Sequence, residues 1–198
     1  MIGFHGCDAE VAYAVINGHT FLRPSSNNYD WLGHGIYFWE NSFSRAKRFS
    51  EELASGKIKP VQPIANPAVI GAVFDLRNCL DLTDDTHIQL VKEGYQELKE
   101  LCDEYAIDMP KNHTLNSSND LLRRELDCAV IEYVNLNSLK THHESFDCVR
   151  SPFIEGYELY PSAGFRDKSH IQICIRNPEC IIGYFKPLSE ALVRMPVY

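Results

Sequence analysis

Gly33-His34-Gly35-Ile36-Tyr37-Phe38-Trp39-Glu40, GHGIYFWE, decides how this chain is read. Its apolar half alternates as a strand does: Ile36 and Phe38 fall on one face, Tyr37 and Trp39 on the other. Two glycines and the polar run Ser25-Ser26-Asn27-Asn28-Tyr29-Asp30 stand before it. Residues 19–34 therefore read as a loop, with Pro24, Ser25, Ser26, Asn27, Asn28 and Asp30 as turn formers. A loop of that length inside a compact domain usually serves function. Downstream, Asn41 or Ser42 caps a helix that runs to about Ala54.

Working outward, residues 2–6 form a short buried strand. Asp8 caps a helix over 9–17, which Gly18 closes. Residues 69–75, VIGAVFD, form another strand. The middle reads as helical. Ile88, Val91, Tyr95, Leu98 and Cys102 recur at helical spacing over 85–105, and a second helix covers about 118–136. Between them, DMPKNHTLNSSN is a loop. Strands return at about 146–154, 169–176 and 179–185. The order lacks the βαβαβ rhythm of a doubly wound sheet, so the expected class is α+β, in one domain spanning 1–198.

Composition narrows the function. The 198 residues include 44% hydrophobic and 23% charged side chains, enough for a sizeable core. A net charge of −8 argues against a protein that grips nucleic acid mainly through phosphates. Seven cysteines, odd in number and without a C-x-x-C pair, read as free thiols in a reducing cytoplasm. No basic and apolar leader follows Met1, and the longest apolar run, Ala68 to Phe74, is too short to span a membrane. The expectation is a cytoplasmic protein with no membrane partner. The sequons at Asn112 and Asn116 are read as chance, and His142-His143 as solvated loop histidines without metal partners.

Three strands share a pattern. In HIQICI, residues 170–175, the isoleucines face one way, while His170, Gln172 and Cys174 face the other. In IGFHG, His5 lies opposite Phe4. FHG, then a helix and a polar loop, then GHGIYF, then the helix NSFSRAKRF, resembles the ADP-ribosyltransferase superfamily. The nearer branch is that of diphtheria toxin and the poly(ADP-ribose) polymerases, whose signature is His, Tyr and a third polar residue, usually Glu. An HG dipeptide alone carries no weight; joined to G-x-G-I-Y-F at this separation, it is specific. The likeness covers residues 3–50 most strongly and 146–186 less so.

The resemblance implies a split β-sheet core with an NAD cleft, into which residues 80–140 enter as a helical insert. It assigns His5 to a hydrogen bond with a ribose hydroxyl, and Gly6 to the nicotinamide carboxamide, small because the ligand lies against it. Tyr37 stacks on the nicotinamide ring. The loop from about Arg23 to His34 covers the dinucleotide, with Arg23 near the pyrophosphate and Tyr29 or Trp31 against a ring. Gly35 and Ser44 complete the cofactor-binding set, with no metal. At the third position this sequence departs from the pattern: Gln172 takes the place, with Glu155 and then His170 as the other candidates. A glutamine can hold a ribose hydroxyl but cannot accept a proton as a carboxylate does.

The implied activity is NAD-dependent mono-ADP-ribosylation by a bacterial toxin or anti-phage effector, with an antitoxin as companion. An NAD glycohydrolase and a non-catalytic NAD- or ADP-ribose-binding module are the competing readings. Net acidity favours a protein acceptor. The cluster of Arg45, Lys47, Arg48, Lys57 and Lys59, read first as a solvated face, would instead favour RNA or DNA. His5→Ala and Tyr37→Ala are expected to abolish activity with the fold largely intact. Cys7 is placed in the turn before Asp8, with nothing to aim it at His5.

Overall fold

The computed structural model describes residues 1–57, 64–114 and 121–188. The first elements are β1 (Ile2–Asp8), α1 (Ala9–Ile16), β2 (Ile36–Glu40), α2 (Phe43–Ala54) and β3 (Pro67–Phe74). There follow β4 (Cys79–Asp81), α3 (Asp85–Glu104), β5 (Asn112–Thr114), β6 (Leu121–Arg124) and α4 (Glu125–His142). The last are β7 (Cys148–Phe153), β8 (His170–Ile175) and β9 (Ile181–Phe185). The protein is thus mixed α/β, with sheet strands at both ends of the sequence. No helix among the described residues is long and apolar enough to cross a membrane.

The chain divides into two compact units. Among the described residues, the first takes 1–22, 39–57, 64–75 and 181–188; the second takes 23–38, 76–114 and 121–180. In the first, β1 lies antiparallel between β3 and the end of β2, with Phe4 opposite Trp39 and His5 opposite Ile70. Strand β9 continues the sheet beyond β3. Phe4 packs edge-on against Phe43 and Phe185, at 5.8 and 6.1 Å, so alternation sends Gly6 to that same face and His5 and Cys7 to the other. Asp8 works at both its oxygens. One caps α1 through the Glu10 N–H, and the other accepts the Ala65 and Asn66 N–H groups at 2.8 and 2.9 Å.

In the second unit, β4 runs parallel to β7, β7 antiparallel to β8, and β2 is the next strand after β8. Helices α3 and α4 pack together, and Gly94 lets Val134 approach the α3 backbone. Leu32, Leu80, Val130, Ile131, Val134, Phe146, Val149 and Cys174 form its buried core. That core removes apolar area from water at about 25 cal/mol per Å².

The expected helix over 118–136 is corrected. Residues 121–124 form β6, paired with β5 through Asn112 opposite Arg124. Helix α4 begins only at Glu125, because the Asn112 side-chain oxygen accepts the N–H groups of Leu126 and Asp127 at 3.0 and 3.2 Å. A cap supplied from a distant strand leaves no local signal. The region 80–140 accordingly contains strands as well as helices. Strand β1 also runs two residues further than expected, so Cys7 belongs to the strand; Lys59 and Asn116 lie outside the described residues.

At Gly6 an added Cβ would collide with the Ala46 carbonyl and crowd Ser50 of α2. Gly6→Ala is therefore expected to destabilise the protein by about 1–3 kcal/mol, the scale of overpacking a close contact. Denaturant midpoints of the two proteins measure this.

Candidate functional site

The polar centre of the second unit is a clamp on residues 31–34. The Trp31 indole N–H donates to Gln172 Oε1 at 2.7 Å. The next backbone N–H, of Leu32, donates to the Tyr37 hydroxyl at 3.0 Å, and that hydroxyl donates to the Gly33 carbonyl at 2.7 Å. The His34 N–H donates to Glu132 Oε1 at 2.7 Å. Arg176 grips the same carboxylate through both its terminal nitrogens. Side chains from β2, α4, β8 and the residue that follows β8 thus hold four consecutive loop residues.

Two glycines make the clamp geometrically possible. Gly33 has φ +78°, and a Cβ there would lie 2.5 Å from Glu132 Oε1 and 2.6 Å from Arg176 Nη1. At Gly35 a Cβ would lie 2.5 Å from the Ile175 carbonyl and 2.6 Å from Cys174 Sγ. Gly35 also exchanges two backbone hydrogen bonds with Ser25, which closes the loop on itself.

The clamp fixes an orientation. An indole nitrogen only donates, so the Gln172 oxygen must face Trp31 and its NH2 must face away. Gln172 therefore presents a donor. Around Trp31 the rings pack at a tilt: Phe153 lies 4.7 Å from it, and His170 lies 5.3 Å from Phe153. The Arg124 guanidinium sits 5.0 Å from the Trp31 ring and 4.4 Å from that of Phe153.

Burial, with smaller effects from the neighbouring Cys174 and Asp30, holds the Tyr37 hydroxyl well above its ordinary value, so it stays a neutral phenol. For Glu132, burial alone would raise the carboxyl. The Arg176 hydrogen bonds, the His34 N–H and the guanidinium charge outweigh that burial and leave Glu132 below its ordinary 4.5.

The residues assigned by the resemblance fall into both units. Tyr37, Gln172 and Gly35 belong to the clamp of the second unit. In the same unit Arg23 is exposed at the start of the loop, and Tyr29 lies beneath Arg123 at 5.3 Å. Among the other third-position candidates, Glu155 lies 3.8 Å from Lys168, and His170 Nδ1 meets the Lys168 carbonyl at 2.6 Å. His5, Gly6 and Ser44 belong to the first unit: His5 is half-buried on β1, and Ser44 is exposed on α2. The need for a glycine at position 6 comes from α2 on the face away from His5.

One expectation about that unit changes. Arg45 is buried with its guanidinium 5.5 Å from the Trp39 ring, and Lys47 and Arg48 pair with Glu51 and Glu52 one turn on. Arg45 thus leaves the solvated face, whereas Lys47, Arg48 and Lys57 stay at the surface. Cys7 is buried, and burial followed by the nearby Asp8 pushes its thiol up to about 11, which makes it a poor nucleophile.

The sequence reading missed Glu132, Arg176 and Arg124. Glu132 lies on the inward side of α4, beside Cys128 and Ile131, and a carboxylate there called for a partner. Among the described residues, no group of three or more His, Cys, Asp or Glu side chains could hold a metal ion.

Comparison with known proteins adds one relative. The chain is 27% identical over 199 aligned residues to MJ0359 of Methanocaldococcus jannaschii, an uncharacterized protein; the match covers 90% of this chain and 83% of that one. No protein-family profile and no solved structure matches.

Two outcomes test the clamp. Tyr37→Phe keeps the ring and leaves the Leu32 N–H without its acceptor. We expect a loss of about 1–3 kcal/mol in denaturant unfolding. A Glu132 value below the ordinary one stabilises the fold fully above pH 4.5, and this is lost as the pH falls through the lowered value. Glu132→Gln should remove that part of the acid dependence, as read by unfolding midpoints between pH 3 and 7 (about four units, chosen to bracket the carboxylate range).

Proposed function

We propose that the chain is an NAD-dependent mono-ADP-ribosyltransferase of the His–Tyr–x type, with His5, Tyr37 and Gln172 as its site residues and a fold of the split-sheet kind that the resemblance implies. The observation that carries the reading is the pair Tyr37 and Gln172. They come from neighbouring strands, β2 and β8, and converge on the loop segment Trp31–Gly33. These two positions therefore meet on the same loop that the resemblance makes the donor loop.

The residues fit the ligand in a specific way. With its oxygen committed to Trp31, Gln172 offers N–H donors suited to a ribose hydroxyl. In the reaction, the bond between C1′ of the nicotinamide ribose and the ring nitrogen breaks, and nicotinamide leaves with the electron pair. An acceptor O, N or S atom bonds to C1′ and releases its proton to solvent. The transition state is a ribosyl cation, so catalysis consists of holding the sugar and excluding water. Gln172 supplies no carboxylate base. The acceptor is therefore intrinsically nucleophilic, a protein side chain or a nucleobase amine, and chain building is disfavoured. The toxin or defence role, with an antitoxin as partner, rests on the resemblance alone.

The test is incubation with NAD labelled in adenine and, separately, in nicotinamide, in the presence of a cell lysate. Nicotinamide release with label on a macromolecule is expected. His5→Ala should lower it by at least about tenfold, the cost of one hydrogen bond to the dinucleotide. Free ADP-ribose without labelled acceptor marks a glycohydrolase instead. NAD binding without nicotinamide release marks a non-catalytic module. No NAD binding ends the proposal.

A further inference from the structure

The second unit contains a cavity of about 460 Å³ between α3, α4 and the segment after β4. Its walls are chiefly branched aliphatic: Leu82, Ile88, Val91, Leu126, Val130 and Ile131. The Trp31 and Tyr95 rings complete them. A volume of that order accommodates a small organic molecule. Of its lining, only Trp31 also touches the proposed transferase site.

The charged groups that line it fix the ligand's polarity. They are Lys92, Arg124 and Asp127, a net positive set in a chain of net charge −8. Asp127 is occupied: Asn112 Nδ2 donates to one oxygen at 2.7 Å, and Arg124 lies 3.4 Å from the other. Lys92 is different. The residues three and four positions from it on α3 are Ile88, Gln89, Tyr95 and Gln96, so no carboxylate faces it along the helix. Lys99, seven residues on, is paired with Asp103. Lys92 has no ion pair among the described residues, although α3 is rich in acid. It is exposed, and it therefore stands at the mouth of the cavity.

We propose that this cavity binds a single-chain aliphatic carboxylate, with the chain against the leucine, isoleucine and valine walls and the carboxylate at Lys92. Branched aliphatic walls suit a flexible hydrocarbon, and a lone ammonium at the rim supplies the point charge that such a head group requires. Occupancy would press on Trp31, whose indole also orients Gln172, so the ligand would be sensed at the loop clamp. The binding itself does not depend on the NAD reading.

Calorimetric titration of the full chain with decanoate and with decanol tests this. Decanoate should bind, and decanol should bind more weakly. Lys92→Glu, an exposed change, should weaken decanoate by about tenfold or more, the scale of a charge-assisted contact. Ile88→Trp, at a residue 44% exposed, should block the chain site without loss of fold, checked by melting. Absence of decanoate binding overturns the proposal. So does equal binding of decanoate and decanol, or binding unchanged by Lys92→Glu. A chain that elutes as a dimer and ignores decanoate would assign the apolar walls to a second copy.

Discussion

The second unit depends on one ion pair being satisfied from both sides. Arg176 follows β8, Glu132 lies on α4, and together they remain in a partly buried setting only because every strong acceptor is used. The carboxylate takes two N–H groups from the guanidinium and one from the backbone of His34. A charge pair taken out of water gains stability only when such further hydrogen bonds complete it. The loop is therefore more than a passenger on the pair, because it contributes the donor that makes the pair tolerable. In turn the pair fixes the backbone at Gly33–His34, and from there Tyr37 and Gln172 reach the residues immediately before.

Close approach is the second constraint, and it explains the glycines better than flexibility does. Gly33 stands where side-chain space is filled by the ion pair, and Gly35 where it is filled by Ile175 and Cys174. At Gly6 and Gly71 of the first unit, the space is filled by α2 and by the Phe185 ring. Each is a point where packed elements meet at backbone distance, so each trades conformational entropy for contact. The motif GHG is thus a packing statement before it is a chemical one. Whatever the loop binds, it is held by contacts that the unit makes within itself.

Much of this was legible in the sequence. Alternation in IYFWE and HIQICI located β2 and β8, Asp8 located the start of α1, and helical spacing located α3 almost to the residue. Strong local periods with matching caps survive tertiary context. The failures have physical causes. Residues 121–124 carry helix formers, yet they pair with β5, and the cap for α4 arrives from Asn112. Arg45 looked like one of a row of surface cations, and an aromatic ring took it inside. At the clamp, strand parity set Tyr37 apart from Ile36 and Phe38, and Gln172 apart from the isoleucines, but it was the resemblance that singled the two out. Glu132 and Arg176 left no such signal, because a partner 44 positions away leaves no spacing to find.

The Asn112 cap links two elements that would otherwise open separately. Its side-chain carbonyl holds the second and third amides of α4, and its amide group reaches Asp127. The start of the helix and the short strand β5 therefore form one cooperative unit. Fraying of the hairpin uncaps the helix, and unwinding of the first helical turn frees the strand. Slow exchange of the Leu126 and Asp127 amides with solvent deuterium would thus report on a strand to which neither residue belongs.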